Sequence, residues 1–172
     1  MANPTINLIA SQVVGSGGAS SITFSSIPNT YTDLKLVFSS RTASGGAADV
    51  AVTLNSDSGS NYLYKRLQGS GSSVSSGGGT FTAMVAGSSN GSTDTANSFA
   101  SSELYIPNYT SSNYKSGSTD AVTETNATGA YITSQSGLWN NTSAVTSLSL
   151  FNTSGASFAQ YTTAYLYGIK NS

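Results

Sequence analysis

The sequence predicts an all-β fold, an antiparallel β-sandwich of jelly-roll-like form. Apolar residues recur with period two in short runs, the pattern of half-buried antiparallel strands. Clusters of Gly, Ser and Asn divide those runs, as turns do in sandwiches and barrels. No stretch of ten to twelve residues concentrates the strong helix formers.

The elements follow in chain order. Residues 6–14 carry Ile6, Leu8, Ile9, Val13 and Val14, and form either a first strand or an apolar arm ahead of it. Residues 1–18 are therefore set apart from a single sandwich domain over 19–172. Residues 20–27 alternate through Ile22 and Phe24, and 33–41 through Leu34, Leu36 and Phe38. Residues 49–55 do so through Val50, Val52 and Leu54. Weaker runs cover 62–67, 81–86, 114–124 and 130–139. Residues 101–107 place Leu104 and Ile106 together, 144–152 Leu148 and Leu150, and 164–170 Tyr165, Tyr167 and Ile169. The apolar residues of the strong runs, with Ile169, are the expected core. Residues 68–80 and 87–97 carry few side chains to bury, which predicts two flexible surface loops around one strand.

Composition excludes much chemistry. The chain has no Cys and no His, so a disulfide framework, a thiolate zinc site and a Ser-His-Asp triad are impossible. Charged residues are 8% and the net charge is −1, so there is no basic field for nucleic acid. No run approaches the ~18 apolar residues of a membrane helix. The reading is thus of a soluble chain made in a cytoplasm, with no nucleic-acid or membrane partner, no enzyme activity, no cofactor and no metal. Asp120 and Glu124 lie four apart on one strand, about 13 Å by strand rise, too far for a glycosidase pair. Asn55, Asp57, Gly59 and Asn61 alternate as calcium-loop ligands do, but with one carboxylate they read as a hairpin turn.

Ten Tyr and one Trp are available for contact. Trp139, beside Asn140 and Asn141, is the candidate for stacking on a sugar ring. Tyr105, Tyr109 and Tyr114 are candidate partner-facing residues, as are Tyr131 and Tyr161, because Tyr combines an apolar body with a polar tip.

The segments FSSIPNTYTDLKLVFSSRT (24–42), SELYIPNY (102–109), the run over 121–151 and the closing AYLYGIK (164–170) resemble a group of tailed-phage virion proteins of aquatic bacteria, cyanobacteria included. The similarity spans roughly 24–170. It implies a β-sandwich module that decorates a capsid or forms part of a tail fibre, and it brings no catalytic motif. One globular module without room for a long shaft favours capsid decoration. The expectation is a homotrimeric cement protein on the outer capsid surface of a virion, bound to the major capsid protein. Ile6, Leu8, Ile9, Val13 and Val14 would dock it. The alternative is a receptor- or glycan-binding tail fibre or tail tip module.

Overall fold

The computed structural model describes residues 5–126 and 129–170; positions 1–4 of the N-terminal segment and 171–172 of the sandwich domain lie outside the described residues. Among the described residues there are twelve strands and no helix. They are β1 (Ile6–Val13), β2 (Ile22–Phe24), β3 (Asp33–Ser40), β4 (Ala48–Leu54), β5 (Tyr62–Gly69), β6 (Val74–Phe81), β7 (Met84–Ser89), β8 (Ala100–Ile106), β9 (Lys115–Thr123), β10 (Tyr131–Trp139), β11 (Leu148–Asn152) and β12 (Thr163–Ile169). One sheet has eight strands in the order β1-β12-β3-β8-β9-β10-β5-β6; the other has four, β2-β11-β4-β7. Every pairing between these strands is antiparallel.

The alternation of the sequence becomes two facing apolar layers. Register aligns Leu166, Leu36 and Leu104 across β12, β3 and β8, and Ile22, Leu150 and Val52 across β2, β11 and β4. All six are buried. Burial of such side chains, about 1.5–3 kcal/mol each, is the main force holding the layers together.

Two hairpins modify a simpler frame. Without β5–β6 and β9–β10, eight strands remain in two four-stranded sheets, β1-β12-β3-β8 and β2-β11-β4-β7. Along those eight the chain changes sheet at every step except β4 to β7. The inserted hairpins lie side by side and widen the larger sheet beyond β8. Met84 of β7 anchors them. Gly117 and Gly137 are directly opposed on β9 and β10. A Cβ at Gly137 would lie 2.7 Å from Met84 Cγ, and one at Gly117 3.1 Å from its Sδ. A side chain at Gly137 would therefore displace Met84, and one at Gly117 would crowd it.

Three expectations are corrected. In β12, Ala164, Leu166 and Gly168 face the core, while Tyr165, Tyr167 and Ile169 face outward, so the expected inward set is off by one residue. Tyr31 explains this: a Cβ at Gly168 would lie 2.3 Å from its ring, which fills the interior at that point. Every other expected core residue is buried. Of the first expected loop, residues 68–69 end β5 and 74–80 belong to β6; of the second, 87–89 belong to β7. The rest of the second expected loop is tied down by Arg41. Its guanidinium donates to the carbonyls of Ser92, Asp94, Thr95 and Ser98 at 2.8–3.1 Å.

Candidate functional site

Trp139 is not a surface residue. It ends β10 on the inner face, is 1% exposed, and stacks on Tyr62 at 6.3 Å and 15°. Register places the two opposite one another. Its Nε1–H donates to Asp57 Oδ2 at 2.7 Å. Asp57 also accepts from Gly59 N at 2.9 Å and from Asn61 Nδ2 at 3.0 Å. Tyr62 Oη donates to the Asp57 carbonyl at 3.0 Å, and burial pushes its pKa up to about 12. Asn55 turns away, accepting from Thr146 N and Ser147 N. With N–H donors converging on its only carboxylate, this loop is an anion-satisfying turn rather than a cation cradle.

The Trp139 N–H, with the Gly59 and Asn61 donors, holds the Asp57 carboxyl below the usual carboxylate range. The folded value then lies under the unfolded one. The resulting stability is present above the ordinary Asp range and is lost as pH falls through the folded value. Melting monitored from about pH 7 down to about pH 2 should fall on the acid side in the wild type and fall less in Asp57→Asn. An equally steep fall in the variant would assign the acid sensitivity elsewhere.

The tyrosines separate in the same way. Tyr109 is fully buried and its hydroxyl donates to the Pro28 carbonyl. Tyr105 is half-buried, its hydroxyl donating to Asp33 Oδ2 at 2.6 Å. Tyr114, Tyr131 and Tyr161 remain exposed. Nothing in the sequence distinguished Trp139 and Tyr109 from exposed aromatics, because their partners Asp57 and Pro28 lie about 80 residues away. Lys115 was also unmarked. It is fully buried, its ammonium donating to the carbonyls of Ser111 and Asn113 and tying the turn before β9.

The docking set divides as well. Residues 6–13 are edge strand β1, paired with β12. Ile6, Leu8 and Val13 face outward and are more than half exposed. Alternation puts Ile9 on the core side of Leu8, the bulge between Leu8 and Ala10 turns Ala10 inward too and so brings Val13 to the outer face, and Val14 is buried. Ile9 and Val14 therefore cannot dock a partner.

What remains outward is the broad face of the eight-stranded sheet. At one end Ile6, Leu8 and Val13 adjoin Tyr165, Tyr167 and Ile169, the two Tyr rings 6.5 Å apart. At the other, on the inserted hairpins, Leu63, Leu67, Val74, Val122 and Ile132 are exposed. Hydroxyls of Ser101, Ser116, Ser118, Ser134 and Ser136 fill the spaces between. A groove of 530 Å³ runs between Leu63, Lys65, Thr80, Ser116, Ser136 and Leu138. Another of 320 Å³ is lined by Val37, Ser101, Glu103, Asp120, Val122 and Ile132.

The pairing of β8 with β9 sets Glu103 directly opposite Asp120, a juxtaposition hidden from sequence reading because it is non-local. Glu103 is bound by Lys35 at 2.8 Å on an open face. A glycosidase acid is instead desolvated in an apolar pocket. Asp120 and Glu124, considered together from sequence, are separated in role: Glu124 Oε1 accepts from the Thr125 and Asn126 N–H groups. The arrangement is suited to binding by burial and hydroxyl hydrogen bonds.

Comparison with protein-family models and with curated proteins gives no match to this chain.

Proposed function

We propose that this chain is a phage capsid decoration (cement) protein that binds the major capsid protein on the outer surface of the head, as a homotrimer. The observation that carries the reading is the broad outer face, where exposed Leu, Ile and Val and half-exposed Tyr165 and Tyr167 alternate with hydroxyls and few charges. Exposed apolar groups concentrated on one face mark an interaction surface. The eight-strand frame under the inserted hairpins has the sheet-switching order of a jelly roll, an architecture used by viral capsid domains. The resemblance over 24–170 points the same way. In mechanism the protein is an interfacial clamp rather than an enzyme. Each copy bridges neighbouring capsid subunits and stabilises the assembled shell by mass action, and many copies sum.

The tail-tip reading rested on an exposed Trp139 as a sugar platform. With that ring buried against Tyr62, it keeps only scattered tyrosines.

Co-sedimentation of the purified protein with capsids stripped of it tests the proposal. Binding is expected in dilute buffer and again at about 1 M salt, where the Debye length is roughly 3 Å, because the charges on the face, Lys35 paired with Glu103 and the separate Lys65 and Asp120, are outnumbered by apolar groups and hydroxyls. Leu67→Lys with Ile132→Lys should weaken it. Release by salt would make the contact ionic. No binding in either buffer would overturn the proposal.

A further inference from the structure

Among the described residues seven non-glycine positions have a positive φ, and six of them are Ser or Asn. Short polar side chains are tolerated in the left-handed region because they can bond to nearby backbone. Asn55 does so, accepting from the Thr146 and Ser147 N–H groups. The seventh residue is Tyr161, at φ 71°. It is the third residue of a tight turn, Ala159–Thr162, closed by the Thr162 N–H on the Ala159 carbonyl at 3.2 Å. Gln160 ahead of it has an ordinary negative φ, so the turn is of type II, whose third position calls for Gly or Asn. A bulky side chain there is strained. Glycine is plentiful in this chain and occupies five other positions of positive φ.

The fold draws nothing visible from this ring. Tyr161 is 68% exposed, more than any other aromatic among the described residues, and its side chain makes no hydrogen bond or ring contact there. Its backbone, by contrast, is fixed. The Tyr161 N–H donates to the Val14 carbonyl at 3.0 Å, and the Val14 N–H to the Thr162 carbonyl at 2.8 Å. The turn therefore stands at the end of the β1–β12 pair, next to the exposed Val13, and leads into the strand that presents Tyr165 and Tyr167 on the outer face.

We propose that Tyr161 is the anchor of the capsid contact, its ring entering an apolar pocket on the major capsid protein with the hydroxyl at the pocket's rim. The inference rests on the proposed function and names the residue that carries most of that contact. Strain held at an exposed position, with no return to the fold, marks a functional residue. Tyr is among the commonest interface anchors, being apolar along the ring and polar at the tip. A backbone fixed before contact lowers the ordering cost of binding. An anchor of this kind behaves oppositely to a core residue: removing the ring relieves the fold and weakens the contact.

That opposition is the test. Full-length wild type, Tyr161→Asn and Tyr161→Phe are compared by thermal melting and by co-sedimentation with capsids stripped of the protein. Tyr161→Asn should melt about 2–4 °C higher than wild type and bind about tenfold or more weakly. Tyr161→Phe keeps the ring, and should melt as wild type does and lose about fivefold in binding at most. Undiminished binding by Tyr161→Asn would overturn the anchor and leave the capsid reading standing. A melting temperature for Tyr161→Asn at or below that of wild type would overturn the strain on which the anchor is argued. An equal loss in Tyr161→Phe and Tyr161→Asn would overturn ring insertion. Absence of binding by the wild type would overturn the capsid reading itself, and the anchor with it.

Discussion

Trp139→Ala should lower folding stability by about 3–5 kcal/mol, the largest loss expected from any single truncation here. Three losses coincide. The indole is 1% exposed, so its removal leaves a cavity under the widened sheet. Its Nε1–H is the nearest donor to Asp57, whose carboxylate also organises the β4–β5 turn through Gly59 and Asn61. Its ring is stacked on Tyr62, which ties that turn to β4 through the Leu54 N–H. Trp139→Phe separates the parts: it keeps most of the volume and removes only the donor, and should cost about 1–3 kcal/mol. Denaturant unfolding measures both. A loss under about 1 kcal/mol for Trp139→Ala would mean that the ring is solvent-facing, as a glycan platform requires.

Leu36→Ala should cost about 2–5 kcal/mol. Leu36 lies midway along β3 and is flanked in register by Leu166 on β12 and Leu104 on β8. Its side chain is 1% exposed at the centre of the apolar layer, where neighbours fixed in two ladders cannot collapse into the vacated space. Val37, the next residue, lies on the outer face, so Val37→Ala should change stability by less than about 1 kcal/mol. If the two variants exchanged their effects, β3 would be slipped by one residue.

Much of this fold was legible because its information is local. Leu34, Leu36 and Phe38 declare a strand and its buried side without reference to anything distant. The same holds for Val50, Val52 and Leu54. β6 was illegible for the opposite reason. SSGGGT has no large side chains to alternate, and the strand exists because β5 supplies a ladder for it. The β12 register misled because Tyr165, Tyr167 and Ile169 are the larger residues of the run. The smaller set faces inward, since Tyr31 from another segment fills the interior over Gly168.

The candidate contacts divide along the same line. Ile6 and Leu8 share a face by their own pattern, but the bulge that brings Val13 to that face depends on pairing with β12. Trp139 and Tyr109 look like contact residues in sequence and are core residues in space. Conversely, the patch formed by Val122, Ile132, Leu67 and Val74 comes from four different strands and exists only once β9, β10, β5 and β6 are aligned. Deleting β1 would strip β12 of its edge partner as well as remove the outward side chains, so docking is tested by substitution instead.

The central claim is that the chain coats a capsid. It is tested most directly by counting this chain against the major capsid protein in purified virions, by densitometry or quantitative mass spectrometry. Decoration predicts hundreds of copies per particle, in a fixed ratio to the major capsid protein. A dozen or so copies per particle would place the chain in the tail and contradict the account.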